Sequence, residues 1–245
     1  MEMLSHGQTD KGILRGENQD NFFVREEVFG PLPNLFIVAD GMGGHKAGSF
    51  ASHYAIKMFC DFIFASKQKV ETADDAVKLF EEAIKFSNLA VYNKAKQDEF
   101  KNMGTTFVAV TKIGNMIAVL NIGDSRLYII DDEDISQITE DHSLVRELYK
   151  LGKIELSEIK THPKKNIITR AVGVETNINP DFFTVKLNPG AMGIMCSDGL
   201  YNMVREEEIV EIVKEQDDIK IGVTRLIEKA NENGGRDNIT VIIFK

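Results

Sequence analysis

The sequence has few cysteines, few prolines, no cationic excess and no long hydrophobic run, and each shortage removes a class of protein. Two cysteines in 245 residues, Cys60 and Cys196, cannot build a disulfide framework. Both stand in apolar company and read as buried free thiols. Five prolines, with no Pro/Ser-rich linker, low-complexity tract or repeat, leave one domain over residues 1–245, long enough for a large core. No apolar run approaches the ~18 residues of a membrane span, and residues 1–7 carry no basic or apolar leader. A cytoplasmic location and no membrane partner are therefore expected. Lys and Arg number 29 against 38 Asp and Glu, a net charge of −9, which argues against a nucleic-acid binder. A phosphate-binding P-loop is also missing, because residues 43–49 lack the Gly-Lys-Ser/Thr ending.

What remains is an ordinary globular composition with legible blocks of strand and helix. The run 35–39 is continuously apolar and ends at Asp40-Gly41, which predicts a buried strand with a carboxylate at its exit. A short strand is expected over 21–24. Two helices follow: Ala51, Ala55, Met58, Phe59 and Phe62 share one face of the first, and Val77, Phe80, Ile84, Ser87 and Val91 one face of the second. Strands over 105–111, 116–121 and 126–130 are joined by links too short for a helical crossover, which predicts an antiparallel meander. Residues 143–165 read as a helix, a loop and a flap-like insertion. Strands at 181–187 and 193–196, helices at 206–214 and around 223–230, and a β-branched strand at 239–244 complete the chain. Blocks of like elements, rather than strict alternation, favour an α+β layered sandwich.

Acids recur beside glycine at the strand ends. Asp40 lies in A-D-G-M-G-G-H, Asp124 in I-G-D-S-R, Asp198 in C-S-D-G and Asp237 in G-G-R-D-N, while Asp20 precedes a strand. One Asp-Gly is usually a turn. Carboxylates gathered at a sheet edge would repel one another unless divalent cations relieved them, and oxygen-only donors suit Mg²⁺ or Mn²⁺ rather than Zn²⁺. Arg15, five residues before Asp20, carries a guanidinium fork that matches two phosphate oxygens.

The set R-G-E-N-Q-D (15–20), D-G-M-G-G-H (40–45), M-G-T-T (103–106), G-D-S-R (123–126), E-D-H-S (140–143), S-D-G (197–199) and G-R-D-N-I-T (235–240) resembles the PPM family of metal-dependent serine/threonine protein phosphatases, most closely its compact bacterial members. The resemblance implies a four-layer α/β/β/α sandwich of two antiparallel sheets flanked by helices, with a flap at about 143–170. It implies two core Mn²⁺ or Mg²⁺ ions and a third, weaker one. Asp40 would bridge two metals, the Gly41 carbonyl would ligate one of them, and Asp198 and Asp237 would bind the other. Asp124, with Asp198, would hold the third. Asp20 would orient a water bound to the metals, and Arg15 would bind phosphate. A metal-bridging hydroxide would attack phosphorus in line, without a phospho-enzyme. The absence of a C-x5-R loop agrees, since the sixth residues after the two cysteines are Ser66 and Asn202. The implied partners are phosphorylated proteins, including a bacterial serine/threonine kinase, for a monomeric enzyme.

One departure from many eukaryotic members is Met42, where they carry a histidine after the Asp-Gly. The first histidine here is His45, a candidate proton donor or a brace for the loop. His162, in the flap region, reads as a solvated loop residue. Two rivals weaken on inspection. Asp131–Asp134 follows a strand but reads as a charged hairpin turn, not the D-x-D of a phosphatase with an aspartate nucleophile. A PPM-like regulator without turnover would be expected to lose metal acids, and all five are present.

Overall fold

The computed structural model describes residues 3–44, 46–132 and 134–245. In chain order its elements are β1 (Ser5–Asp10), β2 (Asp20–Arg25), β3 (Leu35–Met42), α1 (Ala47–Ala65), α2 (Ala73–Lys94), β4 (Gly104–Thr105), β5 (Phe107–Ile113), β6 (Met116–Ile122), β7 (Arg126–Asp131), β8 (Asp134–Gln137), α3 (Leu144–Lys150), β9 (Asp181–Lys186), β10 (Met192–Cys196), α4 (Asp198–Tyr201), α5 (Glu206–Lys214), α6 (Ile219–Glu232) and β11 (Ile239–Phe244). The strands form two antiparallel sheets, one ordered β1-β11-β10-β7-β8, the other β2-β3-β5-β6-β9 with β4 beside β3.

Residue parity explains the layering. Along β3, Leu35, Ile37 and Ala39 turn to the helix side, where Ala51, Ala55 and Phe59 of α1 and Phe80 and Ile84 of α2 cover them. Phe36 and Val38 turn the other way, into a core shared with Leu127, Met195, Ile242 and Phe244 of the opposite sheet. A strand buried on both faces has no polar side to show, hence the unbroken apolar run. The outer face of the second sheet, including Tyr128, Ile194, Val241 and Ile243, is covered by Leu200, Ile209, Val213, Leu226 and Ile227 from α4, α5 and α6. Phe36 and Phe244 stack between the sheets, with centroids 5.0 Å apart. A Cβ at Gly193 would lie 2.0 Å from the Phe244 ring, so only glycine fits beneath it. The α/β/β/α sandwich is thus present.

The meander is corrected. β5 and β6 do form a hairpin, with Ile113 opposite Met116, but β7 does not extend it. β9 takes the free edge of β6, and β7 pairs with β10 in the other sheet. Residues 123–125 are therefore a crossing between sheets. Gly123 permits it at φ +102°, packed against Thr106 where a Cβ would come within 2.6 Å.

The sequence pattern does not signal β1, β8 or α4. β1 is a polar strand of half-buried residues that pairs along β11, and α4 is a single helical turn. β8 makes the expected charged hairpin with β7, Asp131 opposite Asp134. In the flap region α3 is followed by turns and a 3-10 segment at Leu156–Glu158, with a bridge between Ser143 and Ile168 at its base. Among the described residues no helix is long and apolar enough to cross a membrane.

Candidate active site

The acids do not all sit at strand exits. Asp20 opens β2, Asp40 lies inside β3, Asp124 stands in the crossing from β6 to β7, Asp198 begins α4, and Asp237 precedes β11. Asp20 and Asp40 are register partners on adjacent strands of one sheet. The other sheet closes on them from Ser197 and Thr240, whose hydroxyls donate to Asp20 Oδ2 at 2.6 and 2.7 Å. The site is built on the seam between the sheets.

Each acid is held by local structure. The Thr106 N–H and the Thr105 hydroxyl donate to the Asp40 carbonyl at 2.9 and 2.8 Å, and the Asp40 N–H donates to the Thr106 hydroxyl at 2.9 Å, which fixes the end of β3. Thr106 also bonds Ser125, beside Asp124. A Cβ at Gly41 would stand 2.1 Å from the Gly48 carbonyl oxygen, and one at Gly199 would stand 2.0 Å from that of Asn238. Those glycines let backbone close on the acids. Tyr201 donates its hydroxyl to the Asp124 carbonyl at 3.0 Å, and Asn202 donates to Asp198 Oδ2 at 3.0 Å. Arg15, half-exposed on the loop before β2, donates to Asp237 Oδ2 at 2.6 Å.

Electrostatics mark the cluster. Burial pushes Asp20 up to about 6, against the pull of the Ser197 and Thr240 hydroxyls. Burial raises Asp124 to about 7, with Asp141 adding repulsion. Asp40 and Asp198 rise well above the ordinary carboxylate range, through burial first and then through the neighbouring acids, Asp20 for Asp40 and Asp124 for Asp198. The hydrogen bond to Asp237 raises Arg15, with the charges of Asp237, Asp198 and Asp40 behind it. By contrast, burial lifts both cysteines to about 12, Cys196 being fully enclosed and Cys60 less so, and leaves them inert.

The donor set fits a hard divalent cation. Asp20 Oδ1 and Asp198 Oδ1 are buried without a hydrogen-bond partner, and mutual repulsion among the acids is relieved by positive charge. Among the described residues, no three acid, histidine or cysteine side chains close on one point as a finished cage. The acids instead face Arg15, Asn202, Ser197 and Thr240, so Asp237 would turn from Arg15 to coordinate.

His45 lies outside the described residues. His162 accepts a hydrogen bond from the Lys164 N–H in its own turn, consistent with a loop residue. Two residues inside the sequence motifs, Asn238 and His142, position the site. Asn238 is buried and binds the Arg15 loop by accepting from the Gln19 N–H and donating to the Lys11 and Glu17 carbonyls. The His142 side chain is buried and its Nδ1 accepts from the Gly123 N–H at 3.1 Å, while the His142 backbone N–H donates to the Gly123 carbonyl at 2.9 Å. With Nδ1 accepting, Nε2 carries the proton and donates to Asp181 at 3.0 Å. An asparagine after an Arg-Asp and a histidine after two acids were the signals available.

An antiparallel double sheet with five acids and an arginine at its seam defines a metal-assisted phosphoester hydrolase. The Protein phosphatase 2C family model matches residues 15–220, and the chain belongs to that family of metal-dependent serine/threonine phosphatases. It is 38% identical to the serine/threonine phosphatase stp of Listeria monocytogenes serotype 4b, over 99% of this chain and 96% of that protein. The serine/threonine phosphatase of S. agalactiae shares its fold with a TM-score of 0.92 at 34% identity, covering 99% and 98% of the two chains. The catalytic domain of PstP in complex with two manganese ions superposes with a TM-score of 0.83 at 28% identity, covering 99% and 97%.

Proposed function

We propose that the chain removes phosphate from phosphoserine and phosphothreonine in proteins, with Mn²⁺ or Mg²⁺ held among Asp40, the Gly41 carbonyl, Asp198 and Asp237, and a third ion held by Asp124 with Asp198. The observation that carries the residue assignment is the pair of unpartnered buried oxygens, Asp20 Oδ1 and Asp198 Oδ1, inside a set of acids that raise one another. When bound, the ions supply Lewis acidity and a nucleophilic water at neutral pH. Arg15 receives the phosphate through its guanidinium, exchanging Asp237 for the phosphoryl oxygens and absorbing charge that builds on them. Asp20, fixed by Ser197 and Thr240, keeps one oxygen free to orient the attacking water. The flap beside Asp124 borders the cleft, and its α3 and turns face an approaching substrate. Phosphorylated proteins of the cytoplasm, a serine/threonine kinase among them, are the partners this reading assigns to a monomeric enzyme.

The test is hydrolysis of a phosphothreonine peptide by the purified protein with Mn²⁺, with and without EDTA. Activity lost in EDTA and restored by Mn²⁺ is expected, and Asp40→Asn and Asp237→Asn should each reduce kcat by at least about a hundredfold. Full activity in either variant would overturn the ligand assignment. Asp124→Asn is expected to weaken activity while two ions remain bound, as counted by calorimetry.

A further inference from the structure

Beside Asp124 and Asp198 a cavity of about 220 Å³ opens between the flap and the α4–α5 turn. Its lining is mixed, with the buried Val145 and Val204 beside Ile159 and Met203 as its apolar part. Lys160 and Lys165 of the flap and Arg205, which precedes α5, line it as cations. The charges here are unevenly spent. Arg126 is committed to Asp141 in a bidentate pair at 2.9 and 2.6 Å, and Arg205 leans on Glu208 at 3.2 Å. Lys160 and Lys165 make no ion pair among the described residues. Asp124 and Asp198 belong to the reaction centre, so Glu206 is the one carboxylate lining the cavity that is left facing two lysines. The lining as a whole balances four cations against four carboxylates, but with Asp141 spent on Arg126 and Asp124 and Asp198 given to the reaction centre, two ammonium groups stand against Glu206 alone, a cationic margin in a chain of net charge −9.

Resting on the phosphatase reading above, we infer that this cavity is a subsite for an anionic side chain standing near the phosphoresidue in the substrate, either a carboxylate or a second phosphate. Val145, Ile159, Met203 and Val204 take the methylenes, and the lysines take the charge. An anionic flank also opposes nothing in the cleft once the acids there hold cations. The substrate class is thus an acidic or multiply phosphorylated segment rather than a basic one.

The experiment compares Mn²⁺-loaded wild type with Lys160→Glu/Lys165→Glu on phosphothreonine peptides that differ only in flank: neutral, glutamate, lysine or a second phosphothreonine on either side. For each protein the readout is the kcat/KM of a flanked peptide divided by that of the neutral peptide, which cancels any general loss of folded enzyme. Wild type is expected to favour an anionic flank about five- to tenfold at low salt, with the gain shrinking as salt rises. The double variant should reverse the ratio in favour of lysine. A gain with glutamate assigns the subsite to carboxylates as well, and a gain with the second phosphate alone assigns it to phosphate. Equal ratios in wild type, or the same ratios in both proteins, would overturn the inference. No hydrolysis of any peptide, or of p-nitrophenyl phosphate, would instead count against the phosphatase reading itself.

Discussion

A buried carboxylate without a counter-charge takes up a proton or finds a cation. Asp20 at about 6 and Asp124 at about 7 therefore hold protons in the folded chain that they release when it unfolds. The folded state binds the extra protons, so its stability falls as pH rises from about 4, the unfolded value, through about 7. In EDTA the melting temperature should drop by several degrees between pH 5 and pH 8, and Mn²⁺ should erase that drop. A flat profile in EDTA would show that Asp20 and Asp124 carry no such electrostatic strain. Arg15 belongs to the same scale. Its replacement by alanine is expected to lower kcat/KM on a phosphothreonine peptide about 10- to 100-fold, the worth of a charged hydrogen bond, while leaving ion binding intact. A loss of bound Mn²⁺ in that variant would place Arg15 in the metal site rather than at the phosphate.

Loops that look like connections carry the precision of the site. His142 grips Gly123 through two hydrogen bonds and fixes the crossing that presents Asp124. His142→Ala keeps the backbone bond to the Gly123 carbonyl but leaves the buried Gly123 N–H without its acceptor, and should destabilise the fold by about 1–3 kcal/mol. It should also weaken Mn²⁺ binding at the Asp124 position beyond what two-ion binding loses. Asparagine at 142, which keeps an acceptor, should restore part of the binding, and equal defects in both variants would deny the histidine a positioning role. The sequence made some elements plain and hid others for identifiable reasons. β3, α1 and α2 were readable because each buries a periodic apolar face. β1 was not, since Ser5–Asp10 is polar and takes its place from the edge of β11. β7 was misplaced because a Gly-containing link of three residues serves a hairpin and a sheet crossing equally well, and only the competing claim of β9 on β6 decides between them. The five acids were legible as motifs, whereas Asn238 and His142 act on backbone groups far away in sequence, which spacing does not reveal.

At the scale of the molecule, docking of one sheet on the other and assembly of the site are a single event. Phe244→Ala would empty the space against Phe36 and should cost about 3–5 kcal/mol. Because Asp237 and Thr240 adjoin the same strand, activity should be lost with the same denaturation midpoint as the near-ultraviolet signal, in wild type and variant alike. Activity that outlived the packing would separate the two events. The seam has a further consequence for a chain emerging from the ribosome. Asp20 and Asp40 are translated early, but the hydroxyl of Thr240 and the carboxylate of Asp237 arrive some two hundred residues later, on or beside the strand that also clasps β1. Until β11 has cleared the exit tunnel the nascent chain lacks Asp237 and Thr240 however many of the other acids it carries, and a partly synthesised phosphatase cannot strip signals from its neighbours.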